Sequence, residues 1–144
     1  MGIGQWDVFL LTGRYTLLEQ TPLDKLFPAC EAVGTTIICG GSFNSGVLVG
    51  REMWNYDTAP NAIIKKVRAL NEVAAKFDVP LPAAALQFPL GHKIVTLVIP
   101  GPRSKNELNE ILEWHSFEFP AAFWTALKSK NLIHENAPIS FTHL

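Results

Sequence analysis

Arg103 and Lys105 flank a Ser104 that is followed three residues later by Glu107. Ser and Glu at that spacing form a capping box, so a helix begins there and runs toward Trp114. The first turn of a helix carries free N–H groups and the positive end of the dipole. With two cationic side chains beside it, such a turn makes a site for an anion. The same spacing also fits a capped turn with solvated charges, and spacing alone does not choose between them. A second stretch of interest is GGSFNSGVLVG, residues 40–50, rich in Gly, Ser and Asn. Backbone of that composition can approach a ligand closely. It also reads as a long flexible loop, although loops this long inside compact domains are usually functional.

Acid–base chemistry is harder to find. Tyr15 has no Lys or His near it in sequence and reads as packing, so no general acid–base constellation emerges. His92, His115, His134 and His143 fall in turns, helix ends and the tail. None pairs at metal-ligand spacing, and each reads as a surface histidine. Cys30 and Cys39 lack metal or redox spacing and read as two buried free thiols in a reducing cytosol. No catalytic residue and no metal ligand is assigned.

The elements that must position these residues are legible in order. Residues 8–11 read as a buried strand. Pro22 opens a helix with apolar residues at Leu23, Leu26, Phe27 and Cys30, which Gly34 closes. Residues 35–39 are a second strand, ending at Gly40-Gly41. A helix opens near residues 58–60 and buries Ile63, Val67, Leu70, Ala74 and Phe77, with Lys65, Lys66 and Arg68 on its solvated side. Pro82 starts a short Ala-rich helix that Pro89 ends. Residues 94–99, IVTLVI, form a β-branched third strand that Pro100-Gly101-Pro102 stops. Pro120 starts a last helix through Phe123, Trp124 and Leu127, and residues 136–144 are irregular. Apolar strands each followed by helix, with no two-residue hairpin turn, predict an α/β fold of parallel strands with right-handed crossovers. Residues 40–46 and 100–104 both follow strands, on the carboxyl edge where such folds hold ligands.

At 144 residues and a net charge of −1, the chain fits one domain and lacks the basic footprint of a nucleic-acid binder. No apolar run approaches a membrane span, and the first residues carry no basic n-region of a signal peptide. The expectation is a soluble, cytoplasmic protein with neither nucleic acid nor membrane as partner.

The segments FLLTGRYTLLEQ, GGSFNSGVL, VPLPAAALQFPLGHKIVTLVIPGPRS and FPAAFWTALKSKNLI, in that order, resemble the aldo/keto reductases over nearly the whole chain. Within them the chain is similar to the branch that oxidises the anomeric carbon of aldoses such as L-fucose and D-arabinose to lactones. The resemblance implies an eight-stranded (β/α) TIM barrel that binds NADP or NAD without a Rossmann domain. Residues 1–144 match only its C-terminal part, about the last three βα units on the cofactor-binding side. By resemblance, the loop carrying Gly41, Ser42, Phe43, Asn44, Ser45 and Gly46 wraps the cofactor pyrophosphate. Gly101, Arg103 and Ser104 fall on the stretch that holds the adenosine ribose and its 2′-phosphate, and Glu110 falls near the adenine. Ile111 stands where the family usually has an Asn against adenine. Gly40 stands where many relatives stack an aromatic on the nicotinamide.

The family's catalytic Asp, Tyr, Lys and His lie on earlier strands that this stretch does not contain. The chain is therefore expected to be a fragment, from an internal start or a truncated or interrupted gene, and inactive alone. A small sugar is the expected substrate of the complete enzyme, and self-association through bare strand edges is expected of the fragment. A non-catalytic α/β binding or interaction remnant is the alternative. Arg103 and Lys105 lean toward a 2′-phosphate, since guanidinium and ammonium are what such a group needs. NAD and NADP both stay open.

Overall fold

The computed structural model describes residues 6–139. Along the chain come β1 (Val8–Thr12), α1 (Leu26–Val33), β2 (Thr36–Gly40), β3 (Met53–Trp54) and β4 (Asp57–Thr58). They are followed by α2 (Asn61–Lys76), α3 (Leu81–Gln87), β5 (Val95–Ile99), α4 (Lys105–His115) and α5 (Ala121–Ser129). The strands β1, β2 and β5 make one parallel sheet in that order, with β2 in the centre. The β1–β2 register is unbroken from Val8 against Thr36 to Thr12 against Gly40. Beside β5 it shifts once, between Ile37 and Ile38.

Alternation along the strands divides the sheet into two faces. Ile37 and Cys39 of β2 are fully buried, in one core with Phe27 and Cys30 of α1, Leu70 and Val73 of α2, Ala84 and Ala85 of α3, and Phe123 and Leu127 of α5. The opposite face holds Val8 and Leu10 of β1 and Leu97 and Ile99 of β5, all exposed; Leu10 is 64% open to solvent. A Cβ on Gly40 would meet Thr12 and Leu10, which puts β2's carboxyl end on that bare face too. Among the described residues, nothing covers it.

The helices stop where their sequences say, and all but α1 start there too. Gly34 adopts a left-handed φ of 76° and closes α1, its N–H donating to the Cys30 and Glu31 carbonyls. Pro22 belongs to a separate single turn of 3-10 helix, Thr21–Leu23, and α1 proper begins after Lys25. Helix α4 begins on Ser104, whose Oγ accepts the Glu107 N–H at 3.1 Å. Its far end is tied down by Gln87, a buried side chain of α3. The Gln87 amide donates to the carbonyls of Trp114, His115 and Phe117 at 2.7, 2.9 and 3.0 Å, satisfying groups that a helix end leaves open.

Three further expectations are corrected. A two-residue hairpin turn does exist: β3 and β4 pair antiparallel across Asn55 and Tyr56, both at left-handed φ (48° and 65°). Tyrosine there hides the turn, because glycine is what usually marks such a position. Lys66 is not on a solvated side; it reaches across the core edge and donates to the Leu18 carbonyl at 2.9 Å. Burial lowers its pKa, partly offset by Glu19. His92 is not a surface histidine but is buried, with the rings of Phe27 and Tyr15 edge-on to it at 4.7 and 6.0 Å. His143 lies outside the described residues, as does the end of the irregular tail.

Candidate functional site

The loop after β2 and the turn after β5 meet at the carboxyl edge of the sheet. Between them and α4 lies a cavity of about 560 Å³, within the range of small-ligand sites. Gly41, Phe43, Ser45 and Gly46 line it from the first loop, and Pro100, Gly101, Pro102 and Arg103 from the second. Glu107, Glu110, Ile111 and Trp114 of α4 complete that wall, with Arg51 and Tyr56 across from them. Phe43 and Trp114 meet edge to face, 5.7 Å between ring centroids, an arrangement that joins the two walls.

Glycine is required at two points of the first loop. Gly41 (φ 66°) lies so close to Gly13 that a Cβ would stand 3.2 Å from the Gly13 nitrogen. A Cβ on Gly46 (φ 105°) would stand 2.6 Å from Cδ of Arg51. The Arg51 stem lies over bare backbone, and its guanidinium thereby reaches the opposite wall. There Nη2 of Arg51 stands 3.3 Å from Oε1 of Glu107, and Nη2 of Arg103 stands 3.2 Å from the same oxygen. The other oxygen, Oε2, accepts the backbone N–H of Arg103 at 2.7 Å. That backbone bond, then the Arg103 guanidinium and Arg51, hold the Glu107 carboxyl below its usual range.

The residues assigned from sequence divide into two groups. Gly41, Phe43, Ser45, Gly46, Gly101, Arg103 and Glu110 all line the one cavity. Ser42 and Asn44 are buried behind it; the Asn44 amide donates to the Gly13 carbonyl at 3.3 Å and fastens the loop to the end of β1. Ser104 caps α4, and Lys105 is exposed outside the cavity lining. Sequence reading missed Arg51, Tyr56 and Trp114 as cavity residues. It took Glu107 only as a cap. An arginine directly after a loop glycine was the one available signal for Arg51.

Reactive side chains elsewhere are quiet. Burial pushes the Cys39 thiol up to about 12, and it raises Cys30 as well. Tyr15 is buried and its hydroxyl is raised by burial and by Cys39, so it stays protonated at neutral pH. No group of His, Cys, Asp and Glu among the described residues could hold a metal ion. No helix among them is long and apolar enough to cross a membrane.

These parallel strand–helix units, with a ligand-sized cavity at the carboxyl edge of the strands, are those of a (β/α)8 barrel seen in part. The chain belongs to the aldo/keto reductase family, whose model matches residues 4–132; it is a family of oxidoreductases that use nicotinamide cofactors. Among curated proteins it is similar to pyridoxal 4-dehydrogenase of Microbacterium luteolum, 33% identical over 92% of this chain and 44% of that protein. It is also similar to D-threo-aldose 1-dehydrogenase of a Pseudomonas species, 35% identical over 88% of this chain and 40% of the other. The chain spans less than half the length of the curated relatives it matches. Solved structures of like fold include an aldo-keto reductase from Bacillus halodurans in its holo form, with a TM-score of 0.64 at 21% identity. That match covers 89% of this chain and 43% of that one. A glycerol dehydrogenase from Gluconobacter oxydans gives a TM-score of 0.65 at 15% identity, covering 99% and 47%.

Proposed function

We propose that residues 1–144 form the cofactor-binding, C-terminal side of a cytoplasmic NAD(P)-dependent aldose 1-dehydrogenase acting on sugars of the L-fucose and D-arabinose kind. The observation that carries this reading is convergence: the glycine-bearing loops after β2 and β5 line one cavity, with a guanidinium from each side. Its size and its donors fit a dinucleotide. Gly41, Phe43, Ser45 and Gly46 would lie along the pyrophosphate, with Ser42 and Asn44 bracing the loop from behind. Gly101, Arg103 and Glu110 would face the adenosine, with Ser104 capping the helix that carries Glu110. When bound, the nicotinamide would accept the hydride that leaves the sugar carbon. This chain's part is to hold and orient it and to keep water from one side of it. The acid–base residues belong to strands outside these residues, which in the whole protein would pack on the bare face carrying Leu10 and Leu97. In the chain alone, a second copy takes that place.

Calorimetric titration with NAD and NADP, alongside cofactor reduction in the presence of L-fucose or D-arabinose, tests this. Dinucleotide binding without turnover is expected. Binding of neither dinucleotide overturns the cofactor role. Turnover that follows the purified chain, and is lost in a variant of it, overturns the assignment of acid–base chemistry to other strands.

A further inference from the structure

Helix α4 forms one wall of the cavity, yet packing does little to fix it there. Of its 11 residues only Ile111 is buried, while Leu108 and Leu112 stand exposed. What holds the helix is polar and sits at its two ends. At the start are the Ser104 cap and the contacts of Glu107 with Arg51 and Arg103. At the far end is Gln87, the last residue of α3, whose side-chain nitrogen donates to the carbonyls of Trp114, His115 and Phe117 at 2.7, 2.9 and 3.0 Å. That nitrogen offers two hydrogens to three acceptors, so the chain leaving α4 is wrapped around one point. At the Trp114 carbonyl the Gln87 bond is much the shorter of two, since the Phe117 N–H reaches the same oxygen at 3.4 Å.

We infer, resting on the dinucleotide reading above, that Gln87 is a positioning residue of the binding site and acts on it through Trp114. Gln87 is buried and does not line the cavity, whereas Trp114 does. The Trp114 ring meets Phe43 edge to face, 5.7 Å between centroids, and Phe43 belongs to the glycine-bearing loop after β2. That contact sets how far apart the two walls stand at this end of the cavity. A helix held by one buried side chain and a cap at its start can roll about its axis. A roll at its last turn displaces a side chain as large as tryptophan the most. Gln87 blocks the roll by binding the backbone of the residue that carries the ring. An apolar side chain of the same length would fill the space but bring no donor. The carbonyls at the end of α4 would then turn outward to water, taking the Trp114 ring away from Phe43.

The test compares Gln87→Met with Leu127→Val, a control at a fully buried position of α5. Calorimetric titration with NAD and NADP, Trp114 emission and the melting temperature are read on the unaltered chain and on both variants. Trp114 emission is the difference between each chain and the same chain carrying Trp114→Phe. Gln87→Met should bind dinucleotide about tenfold more weakly, the weight of one lost hydrogen bond. Its Trp114 emission should move to the red and be quenched more readily by acrylamide. Leu127→Val should also melt lower, but bind and emit as the unaltered chain does. Unchanged affinity or unchanged Trp114 emission in Gln87→Met overturns the inference and leaves the dinucleotide reading standing. An equal loss of affinity in Leu127→Val overturns it too, because lowered stability alone then accounts for the loss. Where Gln87→Met does not fold, the unaltered chain decides, since coupling between two sites is reciprocal. Saturating dinucleotide should slow hydrogen exchange at the Gln87 side-chain amide, and unchanged exchange overturns the inference. Binding of neither dinucleotide by the unaltered chain overturns both readings.

Discussion

The two faces of the parallel sheet have the same kind of sequence and opposite surroundings. Ile37 on one face is wholly buried among α1, α2 and α3 residues, whereas Leu97 on the other face of the neighbouring strand is 49% exposed. Apolar residues on both faces are what a strand inside a (β/α) barrel requires, since helices cover one side and facing strands the other. A three-stranded piece supplies the helices but not the facing strands. The bare face is therefore not a surface in the ordinary sense. In a closed barrel it would be half of a core.

This contrast can be broken by substitution. Ile37→Ala should cost about 2–5 kcal/mol, the range for truncating a large aliphatic side chain in a packed core. Leu97→Ala should stay within about 0.5 kcal/mol if its side chain meets only water. Urea unfolding of both variants at low protein concentration measures the difference. A cost at Leu97 equal to that at Ile37 would mean that the second face is already covered in solution.

A smaller effect, read in concentration rather than stability, concerns what does the covering. The strands β1 and β5 each pair with β2 alone among the described residues, so both edges are open as well as the face between them. Neither edge carries a Lys or Pro of the kind that blunts natural edges. Light scattering should show the chain as a dimer or larger at micromolar concentration, and Leu10→Lys with Leu97→Lys should shift it toward monomer. A monodisperse monomer in the unaltered chain would show that the bare face needs no partner, and the half-core description would fail.

Much of this architecture was legible because the determining interactions are local. β-Branched runs stopped by Gly or Pro marked β2 and β5, Gly34 marked the end of α1, and Ser104 with Glu107 marked the start of α4. What escaped was set by distant partners. Lys66 looks solvated until the chain brings the Leu18 carbonyl beneath it, 48 residues away. Arg51 and Glu107, 56 residues apart, become one ion cluster only when both loops reach the same end of the sheet. The cavity's glycine loops were visible as composition, but its balance of charge was not. His92 belongs to the same group: between Gly91 and Lys93 it reads as a turn residue, and only the packing of Phe27 and Tyr15 closes it in.

That buried histidine gives the smallest expected effect, on the covered side of the sheet. His92 lies among aromatic rings, and its Nδ1 accepts the Ile94 N–H at 3.4 Å, a bond that needs a neutral nitrogen. Its Nε2 is 3.8 Å from Glu31, too far for a hydrogen bond, and the other oxygen of Glu31 is held by Lys93 at 3.0 Å. Burial therefore outweighs Glu31, and the pKa of His92 is lowered, with Lys93 pushing the same way. An unfolded chain would bind a proton at His92 near the ordinary value of about 6.5, while the folded chain does not. Between the two values the unfolded state holds more protons, so stability is complete above roughly 6.5 and falls as the pH drops below it. Melting temperatures from pH 7.5 down to 5.5, a range in which carboxylates stay ionised, should fall more steeply for the unaltered chain than for His92→Gln. Glutamine cannot take up that proton and keeps an oxygen for the Ile94 N–H. If the slope ran the other way, with the unaltered chain gaining stability in acid relative to the variant, pairing with Glu31 would outweigh burial. His92 would then be part of an ion pair at the surface rather than of the core beneath the covered face.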